Sequence, residues 1–207
     1  MPRTDARGGP QTRDRISNVA TRLFLERGFD AVTVAEVARE AGVSSVTVFN
    51  HFPRKEDLLL DRAGDAVDYL RSAIRDRGPD VDVLTALHDL ALRLVERRDP
   101  FATVNDDAAP FFRVVAGSPA LLSRAREISV DLQRGLADEL HRDAAFDGDS
   151  ALFAALFIAG YTTVMVENAR RLIADEPTSS VEADVRGRLD RLFSALRNGV
   201  LNIAPSK

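Results

Sequence analysis

Residues 33 to 60 read TVAEVAREAGVSSVTVFNHFPRKEDLLL, and polar side chains of a particular kind gather there. Ser45, Thr47 and Asn50 bring two hydroxyls and a carboxamide within six residues, followed by the imidazole of His51 and the ammonium of Lys55. This is not a catalytic set, because no nucleophile stands beside a base and no carboxylates converge. It is a recognition set. A carboxamide can pair with the edge of adenine, hydroxyls can meet either base edges or phosphate oxygens, and a cation meets phosphate. Thr47, Asn50 and Ser45 are therefore assigned to base edges, and Lys55, His51 and Thr33 to phosphates.

The elements that must hold these groups are legible around them. Thr33 and Glu36 have the spacing of a capping box, in which hydroxyl and carboxylate each satisfy an orphan backbone donor. Val34, Val37, Ala38 and Ala41 follow at helical spacing and predict one apolar face. Gly42 stands where a helix end favours a left-handed residue. Ser44 is placed to cap the next helix. There Val48 and Phe52 fall four apart and face inward, while Ser45, Val46, Thr47, Asn50 and His51 face largely outward. Pro53 stops the helix. Lys55 opposes the dipole expected at the start of the next one, which a phosphate partner would explain. Two short helices joined by a glycine-bearing turn are the layout of a helix-turn-helix, whose second helix enters the major groove of DNA.

The segment resembles the DNA-binding domain of TetR-family bacterial transcriptional regulators. Thr33, Val37, Ala38, Ala41, Gly42, Val43, Ser44, Thr47, Val48, Phe49, His51, Phe52, Lys55 and Leu58 carry the resemblance, which covers roughly residues 12 to 60. It implies DNA contacts from Thr33, Ser44, Ser45, Val46, Thr47, Phe49, Asn50, His51 and Lys55. Two positions depart from the family pattern. Val46 stands where glycine or another small residue is common, and Phe49 replaces a tyrosine whose hydroxyl could bond a phosphate.

Composition agrees with a globular regulator. The chain has 207 residues, 45% of them hydrophobic, and no cysteine, which excludes disulfides and thiolate metal sites. The opening MPRTDARGGPQTR has no apolar core and does not read as a secretion signal. The apolar run from Ala151 to Val166 falls short of a membrane span. Net charge is −4, unevenly spread: residues 1–60 carry nine basic and eight acidic side chains, against nineteen and twenty-four beyond. Arg3, Arg7, Arg13 and Arg15 precede the motif, so the electrostatic footprint on DNA is modest.

The fold class expected is all-α: a three-helix DNA-binding domain over 12–60, preceded by a disordered basic arm over 1–11 and followed by a helical ligand-binding and dimerisation domain over 61–207. Helices are predicted near 13–27 (capped by Thr12), 55–75, 81–98, 106–116, 119–142, 149–174 and 179–197. Ser118-Pro119 reads as N-cap and N1, and Asp106-Asp107 as a cap.

The body suggests two tasks. The last two helices carry abundant apolar surface, including Leu152, Leu156, Val185, Leu189 and Phe193, and could pack on a twofold mate as a four-helix bundle. The resemblance implies such a homodimer, with Leu189 and Phe193 buried only in it, and a two-fold symmetric double-stranded DNA site. It also implies a cavity for a small-molecule effector. Candidates to line it are His88, Phe111, Phe112, Arg113, Leu121, Ile128, Tyr161, Met165 and Asn168, a mix suited to a largely apolar molecule with one polar or anionic end. Each has a blander reading as ordinary core or a surface ion pair.

A small all-α enzyme is the rival class. His51, His88 and His141 are far apart in sequence, and no phosphate-binding, nucleotide-binding or hydrolase motif occurs. A DNA-binding adaptor without an effector is the third possibility. The expectation is a cytoplasmic, ligand-released repressor needing no cofactor and no metal, with no membrane partner.

Overall fold

A computed structural model describes residues 9–102 and 108–199. Residues 1–8 of the basic arm, with Arg3 and Arg7, and the Asp106-Asp107 cap lie outside the described residues. Those described form nine α-helices, two short 3-10 turns and no strand. The chain is all-α, with an N-terminal helix-turn-helix.

Two compact units arise. The head gathers the described residues up to Arg62 together with Arg113–Ala125. Its first helices are α1 (Gly9–Arg27), α2 (Val34–Glu40) and α3 (Ser45–His51), with a 3-10 turn at Glu56–Leu58. Gly28, at φ 84°, ends α1 in the left-handed region that a side chain would disfavour. Ile16, Ala20, Phe24, Val32, Val37, Val48, Phe52 and Leu58 interlock at 1% exposure or less, so each of these helices surrenders one apolar stripe to a shared core. Leu121 is equally buried in this unit. Arg124 Nε donates to Asp57 Oδ1 at 2.8 Å, and Ser118 Oγ to Asp30 Oδ1 at 3.5 Å.

The body holds Ala63–Phe112 and the chain from Arg126 onward. Its helices are α4 (Ala63–Arg75), α5 (Val83–Glu96), α8 (Ser150–Ile173) and α9 (Thr178–Gly199), with parts of α6 (Ala108–Gly117) and α7 (Pro119–Arg142) and a 3-10 turn at Pro100–Ala102. Helix α9 packs on both α5 and α8. Gly160 permits the close approach to α9, because a Cβ there would run into Leu192. Helices α4 and α7 are joined by charge where Arg75 Nε donates to Glu139 Oε1 at 2.5 Å, and the residues just past their ends are joined where Arg77 Nη2 donates to Asp143 Oδ2 at 2.5 Å.

Four expectations are corrected. Gly9, Pro10 and Gln11 belong to the first turn of α1, not to an irregular arm, so Thr12 lies inside the helix. The helix expected over 55–75 begins only at Ala63, because Asp61 is pinned to α1: its carbonyl accepts from Arg13 at 3.2 Å and its carboxylate from Ser17 at 2.7 Å. Helix α8, with 24 residues, is long and apolar enough to cross a bilayer, yet it contributes Phe153, Ala154, Phe157 and Met165 to the body core. Finally, Leu189 and Phe193 are 0% and 4% exposed within the single chain. They pack in the core that α5, α8 and α9 share, so they need no second copy to be covered.

Candidate functional site

The recognition surface is built from the capping residues outward. At the start of α2, Thr33 Oγ1 accepts from Glu36 N at 3.2 Å, and Glu36 Oε2 accepts from Thr33 N at 2.8 Å. Glu36 also receives Arg27 Nη2 at 2.9 Å. The Thr33 amide, the Arg27 guanidinium and the Thr33 hydroxyl hold its carboxyl down at about 2. Gly42, at φ 65°, turns the chain. Ser44 Oγ then accepts from Thr47 N at 3.0 Å and lies 2.9 Å from Thr47 Oγ1, fixing the first turn of α3.

Helix α3 is thereby oriented by two anchors, Val48 and Phe52, each 1% exposed. Helical geometry of about 100° per residue sets Val46 and Asn50 opposite them, flanked by Thr47 and Phe49. Asn50 is exposed, and Ser45, Thr47 and His51 are half-buried. Val46 and Phe49 are 69% and 50% exposed. Carboxamide, hydroxyl and apolar groups thus share one outward face on a rigid support.

Two predicted contacts take on internal duties. Lys55 Nζ donates to Phe29 O at 2.6 Å and lies 4.2 Å from the centre of the Phe29 ring. Partial burial lowers its pKa, against the pull of Asp30 and Glu56. No α-helix starts at Lys55, which stands instead at the N-cap of the 3-10 turn Glu56–Leu58. Thr33 commits its hydroxyl to Glu36. Arg13 is one of the basic residues that precede the motif. It donates to His51 O at 2.8 Å and stacks 4.3 Å over the Phe52 ring.

In the body, α4, α5, α7 and α8 line a partly open apolar cavity of about 80 Å³ beside Tyr69, Leu87, Leu90, Phe101, Leu132, Phe157 and Tyr161. A cleft of about 390 Å³ shares Tyr69 and Leu90 with it and adds Asp76, Arg77, Asp89 and Arg93. Tyr161 donates to Phe101 O at 3.2 Å, and Tyr69 to Asp99 Oδ2 at 3.3 Å. Of the nine residues predicted for an effector site, Tyr161 alone lines this cavity. His88 faces a different cleft, its Nε2 2.9 Å from Asp190 Oδ1 and its ring 4.5 Å from that of Phe193. Arg113 and Leu121 belong to the head unit. Phe112 packs near Leu172 and Val181, in a T-shaped pair with Phe111. Met165 is core, and Ile128 is half-buried on α7. Asn168 is fully buried, and its amide has no hydrogen-bond partner among the described residues. The wall residues on α4 and α5 were missed because only the packing of four helices brings them together. The apolar face of α4 was the available signal. Among the described residues no cluster of His, Asp or Glu could hold a metal ion.

Residues 16–61 match the model for bacterial regulatory proteins of the tetR family. The chain is 25% identical over 209 residues to the HTH-type transcriptional regulator YerO of Bacillus subtilis, spanning 95% of this chain and 70% of that one. It is 25% identical over 202 residues to the HTH-type transcriptional activator FasR of Mycolicibacterium smegmatis, spanning 95% and 85%. Among solved structures it is similar to FadR of Thermus thermophilus, a TetR-family repressor in complex with lauroyl-CoA, at 25% identity, covering 94% and 98% with a TM-score of 0.57.

Proposed function

We propose, from the match of residues 16–61 to the tetR-family model and the likeness to HTH-type transcriptional regulators, that this chain is a DNA-binding regulator of that family rather than an enzyme, and that it acts as a homodimeric repressor. In this reading α3 enters the major groove at each half of a two-fold operator, and a small molecule in the body releases it. The carrying observation is the outward face of α3, where Asn50 and Thr47 stand exposed or half-exposed above Val48 and Phe52. Asn50 suits a bidentate contact with adenine. Ser45 and His51 flank it toward base and backbone. Thr33 and Lys55 support the head from within. The protein works in the cytoplasm, where its operator is.

Dimerisation is assigned to α8 and α9. Leu152, Leu156 and Val166 remain exposed on α8, with Ala159 and Thr163 completing a stripe at spacings of three and four. The effector site is assigned to the cavity beside Tyr161. Its lining favours a largely apolar molecule, and the charged cleft across Tyr69 favours a polar end. An acyl thioester like that held by the Thermus regulator has this character. Micromolar binding corresponds to about −8 kcal/mol, and a coupling of about 1–3 kcal/mol suffices to shift DNA affinity. The small cavity is the one observation that favours the adaptor reading, in which no effector binds.

Electrophoretic mobility shift with the DNA upstream of its own gene tests the regulator. A retarded, sequence-specific complex is expected, released by acyl thioesters or apolar aromatics. Specific binding that no such compound alters would leave the adaptor.

A further inference from the structure

Among the described residues, Val46 and Phe49 are the most exposed large hydrophobic side chains. Leu25, Val130, Leu152, Leu156 and Val166 follow at 39–44%. A valine 69% open to water in a seven-residue helix contributes little to the fold. Alanine would serve the helix better, since β-branching lowers helix propensity. Both apolar groups sit on the face that carries Asn50 and Thr47. Val46 stands one helical turn before Asn50, so the two side chains are neighbours on that surface. Phe49 lacks a hydroxyl and has no hydrogen bond to offer a phosphate.

In the major groove the apolar landmark of a base pair is the 5-methyl group of a pyrimidine. Its complement is an apolar side chain held at the groove-facing surface beside polar ones. We propose that Val46 and Phe49 form an apolar contact that reads pyrimidine 5-methyl groups, thymine in ordinary DNA, next to the adenine edge that Asn50 addresses. This inference rests on the assignment of α3 to the groove. It adds that each half-site contains thymine beneath α3 and that part of the discrimination is hydrophobic. The same methyl is present in 5-methylcytosine, so the chemistry is shared and the probes must separate the sources.

The test uses the full-length dimer and a randomised duplex library. Enrichment of a site containing thymine in each half is expected. Affinity is then measured by fluorescence anisotropy on that site and on copies with uracil for each thymine in turn, which removes only the methyl. One methyl leaving an apolar contact should weaken wild-type binding about fourfold. The V46A/F49A double variant should bind both forms alike, and circular dichroism should show an intact head because both positions are exposed. Cytosine and 5-methylcytosine at the same position form the second pair of probes. A preference for the methylated base follows if the methyl itself is read, whereas a preference for thymine over both cytosines with no methyl effect would overturn the proposal. Equal affinity of wild type for thymine and uracil sites also overturns it, while leaving DNA reading in place. If the library yields no enriched sequence, the assignment of α3 to the groove fails, and this inference with it.

Discussion

The guanidinium of Arg13 on α1 closes the far end of α3, donating to the main-chain oxygen of His51 at 2.8 Å. Its second nitrogen reaches Asp61 O at 3.2 Å, and its plane lies over Phe52. One side chain therefore satisfies the C-terminal carbonyl of α3 and the segment before α4. Arg13→Ala should destabilise the head by about 1.5–3 kcal/mol, as expected for charge-assisted bonds with part-buried partners. Arg13→Lys should not restore it, since an ammonium has no planar fork. Thermal denaturation reads the loss. DNA affinity should fall with the salt slope unchanged, because Arg13 is spent inside the protein. A slope reduced by about one would instead identify a phosphate contact.

Lys55 yields to the same logic. Its ammonium holds the Phe29 carbonyl over two aromatic rings. Lys55→Met should lower the melting temperature of the head while the salt dependence of binding changes by less than one phosphate contact.

Asn50 is exposed and carries no structural bond among those described. Asn50→Ala should leave the melting temperature in place, cost about 1–3 kcal/mol on the cognate site and relax preference at one base pair of each half. Competition binding with single-base variants measures both.

The α2 cap predicts a pH dependence of defined sign. The Glu36 carboxyl is held at about 2 in the folded head, below its ordinary value of 4.5. A depressed carboxylate contributes stability that is present above the unfolded value and fades as pH falls through the folded one. Wild type should thus lose more stability than Glu36→Gln between about pH 4 and pH 2. Glutamine preserves the capping geometry without the charge. Urea midpoints of the two proteins across that range provide the comparison.

Assembly can be separated from folding. Leu189 is fully buried within the chain, so Leu189→Asp should unfold the body. Leu156 is 41% exposed on α8. Leu156→Glu should give folded monomers by sedimentation, with unaltered circular dichroism and lost operator binding. Unchanged dimers would move the interface elsewhere.

Much of the head was readable in the sequence because its determinants are local. A threonine and a glutamate three apart make a capping box, a glycine takes the left-handed turn, and Val48 with Phe52 orient a helix through its own periodicity. These interactions span a turn or two of chain, so spacing alone specifies them. Helix positions in the body were legible for the same reason. What lay beyond the sequence joins distant segments. Arg13 meets His51 across 38 residues, and Lys55 meets Phe29 across 26. The walls of the cavity come from four helices spread between Ala66 and Tyr161. Apolar periodicity tells which face of a helix avoids water, but not whether its partner is another helix of the same chain, a second copy or a ligand. Leu189 and Phe193 have the pattern of an interface, and tertiary packing against α5 and α8 made them core.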